Sequence, residues 1–199
     1  MAGAGPRRTL GRRPAATLAR IARHDRGKPV TVEELNRLPL GEARAALERC
    51  CGSSAWVERM CRGRPYRDRE DLLAAAERAG ARLAPGDWLE AFGHHPRIGD
   101  LDSLRQRFRS TVGWAAEEQR GASSASEATL AALAKGNRAY EEKFGYIFIV
   151  CATGKSAEEM LALLEARMAN DPDVERKTAA EEQMKITRLR LEKLLGDWA

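Results

Sequence analysis

The chain has 199 residues, 43% of them hydrophobic and 32% charged, which suits a single domain with one core. Its net charge of +5 and pI of about 9.2 invite a nucleic-acid reading, but the charge is unevenly placed. Residues 1–28 hold eight basic side chains against Asp25 alone, a net of +7, so residues 29–199 carry −2 of the chain's +5. The basic character belongs to the tail, and a nucleic-acid surface on the body of the protein is excluded.

The tail is rich in Arg, Ala, Gly and Pro, and has too little apolar surface to offset the entropy of ordering it. The expected partition is a disordered basic tail, residues 1–30, followed by one helical domain, residues 31–199. The tail also has the Arg-rich, acid-poor character of an organelle transit sequence, or of a start-site extension. It has no Ser within residues 1–28 and no apolar stretch of secretory length. No stretch reaches the ~18 apolar residues of a membrane helix, so a soluble protein with no membrane partner is expected. Cys50, Cys51, Cys61 and Cys151 lack CxxC spacing and have no histidine at zinc-finger distance. They read as reduced, buried thiols, and no metal site is expected.

Helix signals then follow one another. Thr31-Val32-Glu33-Glu34 is a capping box opening a short helix that stops at Pro39. Gly41 to Cys51 repeats apolar residues at helical spacing, and Cys51-Gly52-Ser53-Ser54 ends that helix and caps the next, which carries Trp56, Val57 and Met60. Arg64-Pro65-Tyr66 breaks the pattern. Asp68 precedes a helix through Leu72, Leu73, Ala76 and Ala79, and Pro85-Gly86-Asp87 turns into a short one with Trp88, Leu89 and Phe92. Leu101 to Arg120 is a further amphipathic helix, Gly121 to Ser126 a linker, and Ser126 the cap of a long helix through Leu130, Leu133, Asn137 and Tyr140. Phe144 to Ala152 is the only β-like run; without a partner strand it is expected to be a buried irregular or helical segment. Ser156-Ala157-Glu158-Glu159 caps a helix through Leu161, Leu164 and Met168, and Pro172 separates it from a last long helix ending near Leu195. The sum is an all-α domain of about eight helices.

Two polar clusters stand out of this pattern. His94-His95-Pro96-Arg97-Ile98-Gly99-Asp100 places two of the three histidines against a turn-forming proline. His95 is the better candidate for acid–base work, because Pro96 biases it to extended backbone and fixes its direction. His94 and His24 read as ordinary hydrogen-bonded or surface residues. Glu117-Glu118-Gln119 follows Trp114 near a helix end; successive helix residues point about 100° apart, so at most two of these face one pocket. Together the clusters suggest an acid–base site without a metal. Thr153-Gly154-Lys155-Ser156 looks like the end of a phosphate-binding loop, but Ile149 stands where its first glycine belongs, so it reads as a turn and cap.

Six pieces occur in order: Cys50-Cys51-Gly52-Ser53, Arg64-Pro65-Tyr66, His95 to Asp100, Trp114 with Glu118-Gln119, Phe144-Gly145-Tyr146 with Phe148-Ile149, and Lys185-Ile186-Thr187-Arg188-Leu189-Arg190-Leu191. In that order and spacing the chain resembles the 2-oxo-4-hydroxy-4-carboxy-5-ureidoimidazoline (OHCU) decarboxylase family of urate breakdown, over roughly residues 31–196. The resemblance implies an all-helical homodimeric lyase that converts OHCU to (S)-allantoin without a cofactor. His95 matches the family's catalytic histidine and Glu118 its partner carboxylate. Pro96, Ala115, Ala116, Glu117 and Gln119 match substrate-contacting positions, and so do Phe148, Ile149, Val150, Cys151 and Ala152. Arg190 matches an arginine facing the site, where a guanidinium fork suits a carboxylate or urea oxygen. Ala115 departs from the serine that many relatives offer there, which puts one substrate hydrogen bond in doubt.

Two other expectations compete. One is a non-catalytic helical binding module that uses the basic tail, which deletion of residues 1–28 and a salt titration would separate from an enzyme. The other is the same fold acting on another ureido acid. No transthyretin-like hydrolase sequence is attached, and Gly196-Asp197-Trp198-Ala199 is not an SKL-type peroxisomal address, so a cytoplasmic location is expected.

Overall fold

Most of the described helices begin where the sequence supplies a side-chain cap. The Glu34 amide donates to the Thr31 hydroxyl at 3.1 Å while the Thr31 amide donates to the Glu34 carboxylate at 2.8 Å, and this reciprocal pair opens α1 (Val32–Arg37). α2 (Leu40–Glu48) follows Pro39. Ser53 and Asp68 cap α3 (Ser54–Arg62) and α4 (Arg69–Gly80), and α5 (Pro85–Gly93) starts on a proline whose missing amide costs nothing there. α6 (Glu127–Phe144) comes next, then α7 (Ala157–Arg167) and α8 (Pro172–Leu195), capped by Ser156 and Asp171. The computed structural model describes residues 29–95, 104 and 127–196, and among them there are eight helices and no strand. The expected all-α fold is therefore found. The expected helix from Leu101 to Arg120 lies outside the described residues except for Leu104, and the linker with its Ser126 cap lies wholly outside them. No described helix is long and apolar enough to cross a membrane.

Helices α1 to α4 enclose the larger core, where Leu35, Leu47, Trp56 and Leu72 are fully buried together with Leu191 of α8. Trp56 is large enough to need a polar partner for its indole, and its ring nitrogen donates to the Ala76 carbonyl at 3.1 Å, tying α3 to α4. The Arg64-Pro65-Tyr66 turn, whose Arg64–Pro65 bond is cis, joins this core to α1. Arg64 donates to the Leu35 and Leu38 carbonyls at 3.0 and 2.9 Å, and Asn36 exchanges hydrogen bonds with the Tyr66 backbone at 2.7 and 2.9 Å. That motif is architectural.

A second core lies between α6 and α7, with Leu130, Leu133, Met160 and Leu164 buried beside Leu104. Between the two cores runs the segment after α6. Gly145 ends the helix at φ +79°, in the left-handed region that glycine enters at little cost, and the chain then continues without regular structure to Ala152. Although it pairs with no strand among the described residues, the segment alternates. Phe148, Val150 and Ala152 pack on the α6–α7 core, while Ile147 and Ile149 join Phe92 of α5 and Ala179 of α8. Period-two alternation is what extended backbone gives when both faces are covered. The sequence expectation of an irregular buried segment holds, and the β-like composition reflects its two buried sides.

Helix α8 touches every part of this arrangement. Its buried positions Ala179, Gln183, Thr187 and Leu191 recur at intervals of four, one face of the helix. Ala179 belongs to the Phe92 cluster and Leu191 to the large core. The two positions between them are polar and fully buried. That polar gap in an apolar stripe positions the site.

Candidate active site

The polar gap on α8 is met by the end of α5. Glu90 of α5 accepts from the Ser54 amide and hydroxyl at 2.9 and 2.6 Å, placing a carboxylate on the N-terminus of α3, where the helix dipole favours it. The chain closes α5 with His94 in helical conformation, and the His95 amide donates to the Phe92 carbonyl at 3.1 Å. The two histidines then part. His94 is exposed and lies across Gly52, where an added Cβ would come within 2.3 Å of the imidazole, so only glycine fits beneath that ring. His95 turns inward, and its Nε2 lies 2.6 Å from Oε1 of Gln183.

Behind Gln183 the polar chain continues. Its amide nitrogen donates to the Thr187 hydroxyl at 3.2 Å, and Thr187 in turn is hydrogen-bonded to the Cys51 thiol, which is fully buried. Burial pushes the Cys51 thiol up, partly offset by hydrogen bonds from Ser53 and Thr187 and by the charge of Arg190. The neighbouring Cys50 thiol is pushed up to about 12 by burial. Both cysteines are therefore protonated thiols, in keeping with their reading as small buried groups. The Cys50-Cys51-Gly52-Ser53 motif has three distinct jobs: Cys51 ends the polar chain, Gly52 seats His94, and Ser53 caps α3.

Burial lowers the His95 pKa below the ordinary histidine value, and the positive charges of Arg190 and His94 act in the same direction. The hydrogen bond to Gln183 opposes them without cancelling them. The ring is consequently neutral near pH 7, able to accept a proton. Arg190, one turn beyond Thr187 on α8, donates to the Arg49 carbonyl at 3.3 Å and stands on the His95 side of the helix. Arg188 points elsewhere, paired with Glu77 at 3.2 Å and Glu192 at 3.4 Å.

The segment Phe148 to Ala152 runs against α8 and is held by its backbone. Arg167 donates to the Ile149 carbonyl at 2.8 Å, the Cys151 amide donates to Glu182 at 2.7 Å, and Lys155 donates to the Cys151 carbonyl at 2.8 Å. Ile149 and Cys151 are buried, whereas Phe148, Val150 and Ala152 are half-buried. Arg167 itself is locked in a buried cluster: its Nε donates to Glu175 at 2.8 Å, and Glu175 also accepts from Tyr140 and from Asn170, the latter at 2.7 Å. Burial, then the bond to Glu175, raises the Tyr140 pKa.

The structure thus places His95, Arg190 and the Phe148–Ala152 segment along α8, with His95 at Gln183 and the segment at Ala179 and Glu182. Pro96, Ala115, Ala116, Glu117, Glu118 and Gln119 lie outside the described residues. Sequence reading missed Gln183 and Thr187. The available signal was a pair of polar side chains at helical spacing inside the buried stripe Ala179, Gln183, Thr187, Leu191. A groove of about 520 Å³ lies elsewhere, lined by Leu73, Leu83, Trp88 and Met184 among others, and none of the predicted site residues borders it. No group of three or more potential metal ligands occurs among the described residues.

The described residues place one half-buried histidine, held by Gln183, within electrostatic reach of an arginine in an all-helical fold. The model of the OHCU decarboxylase family matches residues 36–192, and the chain belongs to that family. It is 39% identical over 150 residues to the uric acid degradation bifunctional protein TTL of Arabidopsis thaliana, covering 75% of this chain and 46% of that relative, so it spans about half of that longer protein. It is 30% identical over 151 residues to the 2-oxo-4-hydroxy-4-carboxy-5-ureidoimidazoline decarboxylase of Amia calva, covering 75% of this chain and 83% of the relative. A crystal structure of OHCU decarboxylase in the presence of (S)-allantoin superposes with a TM-score of 0.61 at 38% identity, covering 75% of this chain and 96% of that one.

Proposed function

We propose that this chain is a carboxy-lyase that converts OHCU to (S)-allantoin. In OHCU the carboxylate sits on a carbon next to a ring C=N. The bond to the carboxylate breaks, its electron pair moves into the adjacent imine, whose nitrogen takes up a proton, and carbon dioxide leaves; the hydroxyl of the resulting enol then loses its proton to become the ring carbonyl, and the neighbouring carbon takes a proton on one face of the ring. The substrate supplies its own electron sink, so the protein's task is to orient, desolvate and manage protons. The observation that carries this reading is His95, fixed at the end of α5 by its contact with Gln183, with the Arg190 cation on the same side of α8.

In this scheme His95 contacts the substrate hydroxyl or carboxylate and exchanges the proton. Glu118 relays the proton that sets the S configuration, and Arg190 receives a carboxylate or urea oxygen. Gln119 serves the ureido or ring amides because it both donates and accepts. Pro96, Ala115 and Ala116 contact the substrate, and Phe148, Ile149, Val150, Cys151 and Ala152 form another lining segment. Residues 31–199 form the catalytic domain and 1–30 a dispensable basic tail. The enzyme works in the cytoplasm as a homodimer, without a cofactor and without nucleic-acid or membrane partners.

The test generates OHCU in place from urate and follows the circular dichroism of (S)-allantoin. The expected result is a signal that grows faster than spontaneous decay and is retained when residues 1–28 are deleted. A rate no greater than the spontaneous one would overturn the assignment.

A further inference from the structure

We infer that Gln183, anchored by Thr187, is a positioning residue that holds His95 in the tautomer protonated on Nε2, leaving Nδ1 as the nitrogen that exchanges the substrate proton. The inference rests on the proposed acid–base role of His95, and it adds which atom performs it and what selects that atom.

The argument is one of donors and acceptors. The Gln183 side-chain oxygen has no proton to give, so its 2.6 Å contact is a hydrogen bond only if the His95 Nε2 carries one. The amide is kept in that orientation from behind, because its nitrogen donates to the Thr187 oxygen at 3.2 Å. The Thr187 hydroxyl oxygen has lone pairs with which to accept it. The chain therefore runs in one direction, His95 to Gln183 to Thr187, each group donating to the next. Reversing the amide would aim its protons at an Nε2 that must then be bare, and would require the Thr187 hydroxyl to donate instead of accept.

Gln183, Thr187 and Cys51 are all fully buried, so water cannot replace a lost partner in this chain. A neutral histidine has one bare nitrogen, and with Nε2 committed that nitrogen is Nδ1. It has no hydrogen-bond partner among the described residues. Glutamine also suits the task better than a carboxylate. A carboxylate at this position would favour the cationic ring, whereas a neutral acceptor orients it and leaves it able to take a proton. The charged and titratable groups around His95 among the described residues are Arg190 of α8, His94 of its own turn and, beyond Thr187, Cys51.

The test reads the tautomer directly by two-bond proton–nitrogen correlation on protein labelled with nitrogen-15. The chain has three histidines, and His94→Asn and His24→Asn variants assign the spectra. In the unsubstituted protein His95 should show a protonated Nε2 and a bare Nδ1. Gln183→Leu should shift the ring towards the other tautomer and lower kcat by roughly 10 to 100-fold with a much smaller change in KM, the pattern of a misaimed group. Gln183→Glu keeps the acceptor, so it should keep the Nε2-protonated form while moving the acid limb of the pH–rate profile upward. A bare Nε2 in the unsubstituted protein, or an unchanged tautomer in Gln183→Leu, overturns the inference. Should Gln183→Leu fail to fold, the unsubstituted spectrum and Gln183→Glu still decide it. The tautomer is read without substrate. The expected spectra with no OHCU turnover would overturn the proposed activity and leave the assignment to Gln183 standing, and the opposite spectra with full turnover would overturn this inference alone.

Discussion

Helix α8 carries two buried polar constellations about 12 Å apart along its axis, and they are built on opposite plans. At Glu175 the plan is ionic: Arg167, Tyr140 and Asn170 all donate to one carboxylate, and Arg167 also donates to the Tyr140 hydroxyl and the Ile149 carbonyl. At Gln183 the plan is neutral and linear, and one end of the line is His95. The first holds the Phe148–Ala152 segment in place, and its charges are spent on one another inside the cluster. The second contains no charge, yet it ends on a ring that has a nitrogen to spare. Buried polarity on a helix thus marks structure when its valences close and a candidate site when they do not.

The largest expected effects lie at opposite ends of this comparison. His95→Ala and Glu118→Ala should each lower turnover of OHCU by about 100 to 10,000-fold, the usual contribution of a positioned acid–base group, while the thermal midpoint of His95→Ala changes little. Glu175→Ala should do the reverse. Removing one partner of a buried ion pair costs about 3–5 kcal/mol, equivalent to a midpoint lowered by roughly 6 to 20 °C in a chain of this size. Calorimetry and stopped-flow kinetics on the same preparations measure both. A Glu175→Ala protein of normal stability, or a His95→Ala protein as unstable as it, would erase the distinction.

A smaller effect probes how the two histidines are separated. Gly52→Ala puts a methyl group where the His94 ring lies, so the ring and its turn must shift, at a cost of about 1–3 kcal/mol. Because His95 is the next residue, turnover should fall along with stability. His94→Ala in the Gly52→Ala background should recover most of both, since it removes the obstacle. If the double variant behaves like Gly52→Ala alone, the role assigned to Gly52 is wrong.

The helical architecture was legible because its signals are local. Thr31, Ser53, Asp68 and Ser156 cap helices through bonds reaching no more than three residues, so the sequence states them directly. The candidate site was legible in part. His95 is announced by its turn, and the choice of Arg190 over Arg188 came from a motif rather than from the helix face. Gln183 and Thr187 stayed hidden because their meaning depends on what α5 brings to them across a separation of 88 residues between His95 and Gln183. The buried ion pair was hidden for the same reason, since Glu175 and Arg167 look like surface charges until the cluster around Tyr140 encloses them.

The smallest expected effect is a pH dependence, and it separates the two constellations by their charge. Burial first, then Arg190 and His94, set the folded pKa of His95 below the ordinary value of about 6.5. The neutral ring is the form that accepts a proton, so activity should hold constant down to about pH 6.5 and fall only as pH drops through the lowered value. Stability follows the same window. As pH falls below about 6.5 the unfolded chain binds a proton at this residue before the folded one does, so folding loses free energy until the folded ring is protonated too. His95→Asn should remove that part of the acid sensitivity, visible as a smaller drop in thermal midpoint between pH 7.5 and 5.5. Arg190→Gln should move the acid limb of activity upward without bringing it to the ordinary histidine value, because burial, the largest cause, remains. An acid limb unmoved by Arg190→Gln would mean that its charge does not reach the ring, and the neutral constellation would then owe its state to burial alone.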